Sequence, residues 1–98
     1  MKNTGEEKKL IRTEVRTVEG VRYTYELKSR KQRLMASFGI PLYSIGVKMC
    51  FTDTGRTSEN ETADIFADFN KATGFFDRIV EGLITPIDLT YVVEDELT

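Results

Sequence analysis

Apolar and polar residues alternate along the first third of the chain. Ile11, Thr13, Val15 and Thr17 fall on one side and Arg12, Glu14 and Arg16 on the other; then Val21, Tyr23, Tyr25 and Leu27 alternate with Arg22, Thr24, Glu26 and Lys28. A period of two carried by β-branched and aromatic residues predicts two strands, and Gly20 between them predicts a hairpin. Two registers are open to it. A two-residue Glu19-Gly20 turn sets Tyr23 against Arg16 and Tyr25 against Glu14, the apolar side of one strand against the charged side of the other. A three-residue Val18-Glu19-Gly20 loop pairs Val15 with Tyr23, Thr13 with Tyr25 and Ile11 with Leu27, and puts Gly20 at the left-handed position such loops need. A slip of one residue turns every side chain to the wrong face, so the three-residue loop is the expected one.

Residues 29–41 break the alternation. Ser29-Arg30-Lys31-Gln32-Arg33 is basic and polar, Leu34, Met35, Phe38 and Ile40 are apolar without a clean period, and Gly39 and Pro41 punctuate the stretch. It reads as a connecting loop. Alternation returns from Leu42 to Phe51, with Tyr43, Ile45, Val47, Met49 and Phe51 on one face and Ser44, Gly46, Lys48 and Cys50 on the other. Residues 53–60 read as a loop, and Glu61 to Ala67 as a short fourth strand with Ala63, Ile65 and Ala67 inward.

The period then changes to that of a helix. Ala72, Phe75, Phe76, Ile79, Val80 and Leu83 recur at the spacing of one helical face, with Asp68, or alternatively Asn70, as N-cap and Gly74 inside. A second helix begins with Thr85 as N-cap and Pro86 at the first helical position, where its missing N–H does no harm. Asp88 takes the capping-box position, and Ile84 and Leu89 the two ends of a hydrophobic staple. Leu89, Val92, Val93 and Leu97 continue the buried stripe. The order β-β-β-β-α-α predicts an α+β fold: a mainly antiparallel four-stranded sheet with two C-terminal helices packed on one face.

Composition excludes more than it identifies. The 98 residues suit one domain, expected over residues 8–98 after a flexible tail at 1–7. There is no histidine and a single cysteine, too few soft ligands for a structural zinc site, and the commonest general base is missing. Cys50 has no histidine to activate it and reads as a small buried hydrophobe; Phe66, Phe69, Phe75 and Phe76 read as core. No cofactor or metal is expected, and the chain is not expected to be an enzyme. A lone cysteine, a polar start without the apolar stretch of a signal peptide, and no run of membrane-spanning length point to the cytoplasm.

Charge is divided unevenly. Residues 1–52 hold eleven Lys/Arg and five Asp/Glu, a net +6, whereas residues 53–98 hold three and eleven, a net −8. Such a split suits an acidic partner for one half, or one half of a molecule meeting the other half of its neighbour.

The closing third carries a resemblance. Asp64-Ile65-Phe66-x-Asp68, a helix, and then Thr85-Pro86-Ile87-x-Leu89-x-x-Val92-Val93-Glu94-Asp95-x-Leu97 resembles the end of a small uncharacterised Firmicutes family, a domain of unknown function of about this length. Members often carry a Tyr-Gly-Ile element where this chain has Tyr43-Ser44-Ile45-Gly46-Val47. The resemblance covers roughly residues 42–97; it implies a bacterial cytoplasmic protein and carries over no catalytic residue.

Two clusters remain as candidate contact residues. Lys28, Arg30, Lys31 and Arg33, with Arg12, Arg16 and Arg22 nearby, form the densest basic patch. On the functional reading they meet phosphates; on the plainer one they guard a strand edge. Glu94, Asp95 and Glu96 would join Asp64 and Asp68 around a cation, but consecutive helical residues point in different directions, and a solvated helix end is the plainer reading. Their position against the helix dipole makes a cationic partner worth testing. The expected role is a non-enzymatic protein-interaction or regulatory module, the alternative an accessory nucleic-acid binder using the basic hairpin. Self-association is expected to join the basic segment of one copy to the acidic helix of another, with Leu34, Met35, Phe38 and Ile40 supplying the apolar contact.

Overall fold

The computed structural model describes residues 8–34, 38–63 and 66–97. The elements are β1 (Lys9–Val18), β2 (Val21–Leu34), β3 (Phe38–Phe51), β4 (Thr57–Glu61), α1 (Phe69–Glu81) and α2 (Pro86–Leu97). The four strands form one antiparallel sheet in the order β1-β2-β3-β4, and both helices lie on one of its faces. The molecule measures 48 × 36 × 18 Å; its thin dimension is that of one sheet and one helix layer. The expected tail at residues 1–7 lies outside the described residues.

The core is the seam between the layers. Tyr25 and Leu27 of β2, Tyr43, Ile45 and Val47 of β3, and Phe66 meet Ala72, Phe75, Phe76, Ile79 and Val80 of α1 and Leu89 of α2. Both helix starts follow the sequence. The Lys71 amide donates to Asp68 Oδ2 at 2.8 Å, and the Asp88 amide donates to Thr85 Oγ1 at 3.2 Å. Leu83, at φ 51°, ends α1: its amide donates to Val80 O and that of Ile84 to Ile79 O, the paired bonds that close a helix in a left-handed residue, normally glycine.

The hairpin register differs from the expected one. Glu19 and Gly20 form a two-residue turn, both at positive φ (50° and 79°), and Arg16 stands opposite Tyr23 and Glu14 opposite Tyr25. The alternation rule misleads here because β1 is an edge strand. The helices pack on β2, β3 and β4, so the helix side of β1 is a rim where charged side chains reach water. A bulge reconciles the rest. Leu10 pairs with Lys28 and Arg12 with Leu27, which leaves Ile11 as the extra residue, and Ile11 packs against the core. The expected register thus holds for Lys9 and Leu10 and is lost at the bulge.

Two further boundaries are corrected. The loop expected at 29–41 is strand on both sides: β2 runs on to Leu34 and β3 starts at Phe38, with Arg30 opposite Leu42 and Lys31 opposite Pro41. Beyond Ser29, which pairs with Lys9, the two strands continue as a ribbon past β1. Pro41 is tolerated for a reason of parity. The amides of Tyr43, Ile45 and Phe51 are all directed to the β4 side, so the N–H that Pro41 lacks would have pointed where, among the described residues, no strand pairs. The fourth strand is Thr57–Glu61, not Glu61–Ala67. Ala63 and Ala67 are exposed, Ile65 lies outside the described residues, and past Glu61 the described residues meet β3 in irregular bonds, from the Thr62 amide to Ile45 O and from the Tyr43 amide to Phe66 O. Phe69 also leaves the expected core: it is 48% exposed and meets the Tyr43 ring edge-on at 5.8 Å.

Candidate interaction surface

Among the described residues nothing covers the face of the sheet opposite the helices, and strand alternation decides what stands on it. β2 contributes Thr24, Glu26 and Lys28, β3 contributes Ser44, Gly46 and Lys48, and β4 contributes Glu59 and Glu61. All of these but Ser44 line a shallow basin of about 420 Å³. Gly46 makes its floor: with no side chain there, the flanking groups stand above an open centre.

Glu61 organises the rim. Its Oε2 accepts from Lys8 Nζ at 2.8 Å and from Ser44 Oγ at 3.2 Å, and Lys28 Nζ lies 3.8 Å from Oε1 and 3.5 Å from Glu26 Oε1. Lys8 precedes β1 and Glu61 ends β4, so this ion pair crosses the whole face from one edge of the sheet to the other. Partial burial by itself would raise the Glu61 carboxyl. The Lys8 hydrogen bond, the charges of Lys8 and Lys28 and the Ser44 hydroxyl outweigh it and hold the group below its ordinary value. Ser44 is 1% exposed, buried beneath these charges with its hydroxyl satisfied. Lys48 and Glu59 are directly opposite in the register and both are exposed.

The residues singled out from the sequence are distributed differently. Lys28 belongs to the rim just described. Arg30, Lys31, Arg33, Leu34 and Phe38 lie in the ribbon formed by β2 and β3, where Arg33 pairs with Gly39 and Leu34 with Phe38; Met35 lies outside the described residues. Glu94, Asp95 and Glu96 are in the last turns of α2. Glu96 binds Arg78 of α1 at 2.7 Å, and Glu94 borders a groove between α2 and Asn60 of β4. Among the described residues no three acidic or thiol side chains are grouped as metal ligands. Cys50 is half-buried on the uncovered face, opposite Arg22 and Thr57, rather than within the core. Glu26, Lys48, Glu59 and Glu61 were not singled out as a site, although the polar character of every second position in β2 and β3 was the signal for them.

Among the described residues no helix is long and apolar enough to cross a membrane. No curated protein and no solved structure matches the chain. A family model does match, over residues 5–98, so that the hairpin as well as the closing segment is included: the chain belongs to a family of unknown function (DUF6514).

Proposed function

We propose that this member of the family is a non-enzymatic protein-interaction or regulatory module that receives a polypeptide partner on the uncovered face of its sheet. The observation that carries the reading is the rim around Gly46, where charges of both signs are fixed on neighbouring strands and Glu61 is held ionised by Lys8 and Lys28. Charges set on rigid strands recognise a partner's charges at little ordering cost. Mixed signs suit a polypeptide better than a polyphosphate chain, because Glu26, Glu59 and Glu61 stand among the lysines and repel phosphate. That argument ranks the accessory nucleic-acid role second. The setting we propose is the cytoplasm of a Firmicutes bacterium, on the sequence resemblance and the free thiol of Cys50.

Affinity capture from the host lysate with the wild type and with a Lys48→Glu/Glu59→Lys double variant tests the reading. A protein retained by the wild type and lost by the variant supports it. Equal retention by both removes the partner from this face, and salt-dependent retention of nucleic acid by the wild type favours the second role.

A further inference from the structure

Among the described residues no strand pairs with the outer side of β1. Which of its backbone groups face outward follows from the bonds inside the sheet. Phe51 donates to Arg56 and Tyr43 to Phe66, so odd positions of β3 face away from β2 and even positions bond to it. Even positions of β2 therefore face β3 and odd ones face β1. The partners of Tyr23 and Tyr25 are Arg16 and Glu14, which leaves Thr13, Val15 and Thr17 with N–H and C=O directed outward. One bond agrees directly: the Val15 carbonyl accepts from the Arg16 side chain at 3.0 Å.

The stretch that offers these groups is limited at both ends. The bulge at Ile11 stops it on one side and the Glu19-Gly20 turn on the other. Val15 is the midpoint of what remains, Arg12 to Val18, and is 48% exposed. On the helix side of the same stretch Arg12, Glu14 and Arg16 alternate in sign, with Glu14 3.2 Å from each arginine.

We propose that this edge pairs antiparallel with the same edge of a second copy, about a two-fold axis through Val15. Val15 then stands opposite Val15, Thr13 opposite Thr17, and Glu14 opposite Arg16 of the other copy. Each of the outward N–H and C=O groups finds its complement, and Arg12 lays its aliphatic stem against Val18. Neighbouring registers fail. Centring on Glu14 keeps the outward backbone groups paired but sets Glu14 on Glu14 and Arg12 on Arg16, like charges directly opposed. Centring on Thr13 drives Val15 into the bulge at Ile11. The helices do not obstruct the pairing, because α1 contacts β2 and β3, some two strand spacings of about 4.8 Å from the axis. The two open faces become one continuous surface. This interface lies apart from the basin around Gly46 and from the basic-to-acidic contact expected from the sequence.

Sedimentation velocity with charge-exchanged variants tests it. Glu14→Arg alone places arginine on arginine and Arg16→Glu alone places glutamate on glutamate, so each variant weakens self-association tenfold or more. In their equimolar mixture both cross-strand positions again set an arginine of one variant opposite a glutamate of the other, and the mixture dimerises to within a few-fold of the wild type. Val15→Pro removes an outward N–H without touching the β1–β2 ladder and yields a folded monomer by circular dichroism. A wild type that stays monomeric at high micromolar concentration in low salt overturns the proposal. So does undiminished dimerisation of the single variants, a mixture that remains monomeric, or a folded Val15→Pro protein that still dimerises.

Discussion

The guanidinium of Arg12 lies 4.9 Å from the centre of the Phe76 ring, while its Nη1 reaches Asp77 at 3.0 Å. One side chain therefore joins the edge strand to α1 twice, through the face of an aromatic ring and through a carboxylate beside it. A planar fork makes both contacts at once and an ammonium does not. Arg12→Lys is expected to lower stability by about 0.5–1 kcal/mol, the scale of a partly exposed cation–π contact. Urea denaturation measures it, and an unchanged midpoint would show that the ring contact contributes nothing.

Gly20 holds φ 79° in the two-residue turn, and its carbonyl accepts from both the amide and the hydroxyl of Thr52. Gly20→Val forces a β-branched residue into the left-handed region at a cost of roughly 1–2 kcal/mol. Thermal unfolding reads this directly; a variant as stable as the wild type would mean that the turn has another conformation.

Gly74 lies inside α1, exposed, and a methyl group there would meet nothing within 4 Å. Gly74→Ala should raise stability by about 0.5–1 kcal/mol, since the helix gains propensity and the unfolded chain loses freedom. A drop in the denaturation midpoint would contradict the open position.

Thr85→Ala removes the acceptor for the Asp88 amide at the start of α2 and is expected to cost ~1 kcal/mol. Because Asn60 also bonds to Pro86 O and Thr90 Oγ1, amide exchange in the first turn of α2 should accelerate while that of α1 stays slow. Uniform acceleration through both helices would show that the cap does not act locally.

Tyr25 is fully buried, and its hydroxyl donates to Ile84 O at 3.1 Å. Burial, with the neighbouring Tyr23, pushes its pKa up to about 12, and Arg16 opposes the shift. The raised value means that the folded protein holds this proton more tightly than the unfolded chain. The associated stability is fully present below about pH 10 and is lost as pH rises through about 12, at up to ~1.4 kcal/mol per pH unit. Ultraviolet titration should show one tyrosine ionising late, together with unfolding. In Tyr25→Phe that late step should vanish; if it persists, another tyrosine is responsible.

The sequence revealed most where one local rule acts alone. Asp68, Thr85 and Pro86 mark helix starts through bonds within a few residues, and the Phe75-Phe76-Ile79-Val80 stripe needs only the helical period. The β-β-β-β-α-α order and the faces of β2 and β3 followed in the same way. What failed depended on neighbours distant in the chain. The β1 register turns on whether helices cover that strand, and their packing on β2, β3 and β4 is set by residues far along the chain. The pairing of residues 30–34 with 38–42 carries no alternation in the sequence, so the period-two rule does not find it. At the candidate site Lys28 was singled out from its basic neighbours, but Glu61, Ser44 and Lys8 are brought to it from three other parts of the chain.

The helices that cover the sheet leave the ribosome after all of its strands. β1, β2 and β3 are complete by Phe51, whereas α1 begins at Phe69 and α2 ends at Leu97. Each strand pairs with the one just made, so the sheet can assemble as it emerges, one face polar and finished, the other presenting Tyr25, Leu27, Ile45 and Val47 to water. At roughly 5–20 residues per second, that apolar face stays bare for seconds on every newly made chain. A stalled or truncated product ending before Phe69 would keep it bare and become a substrate for chaperones or proteases.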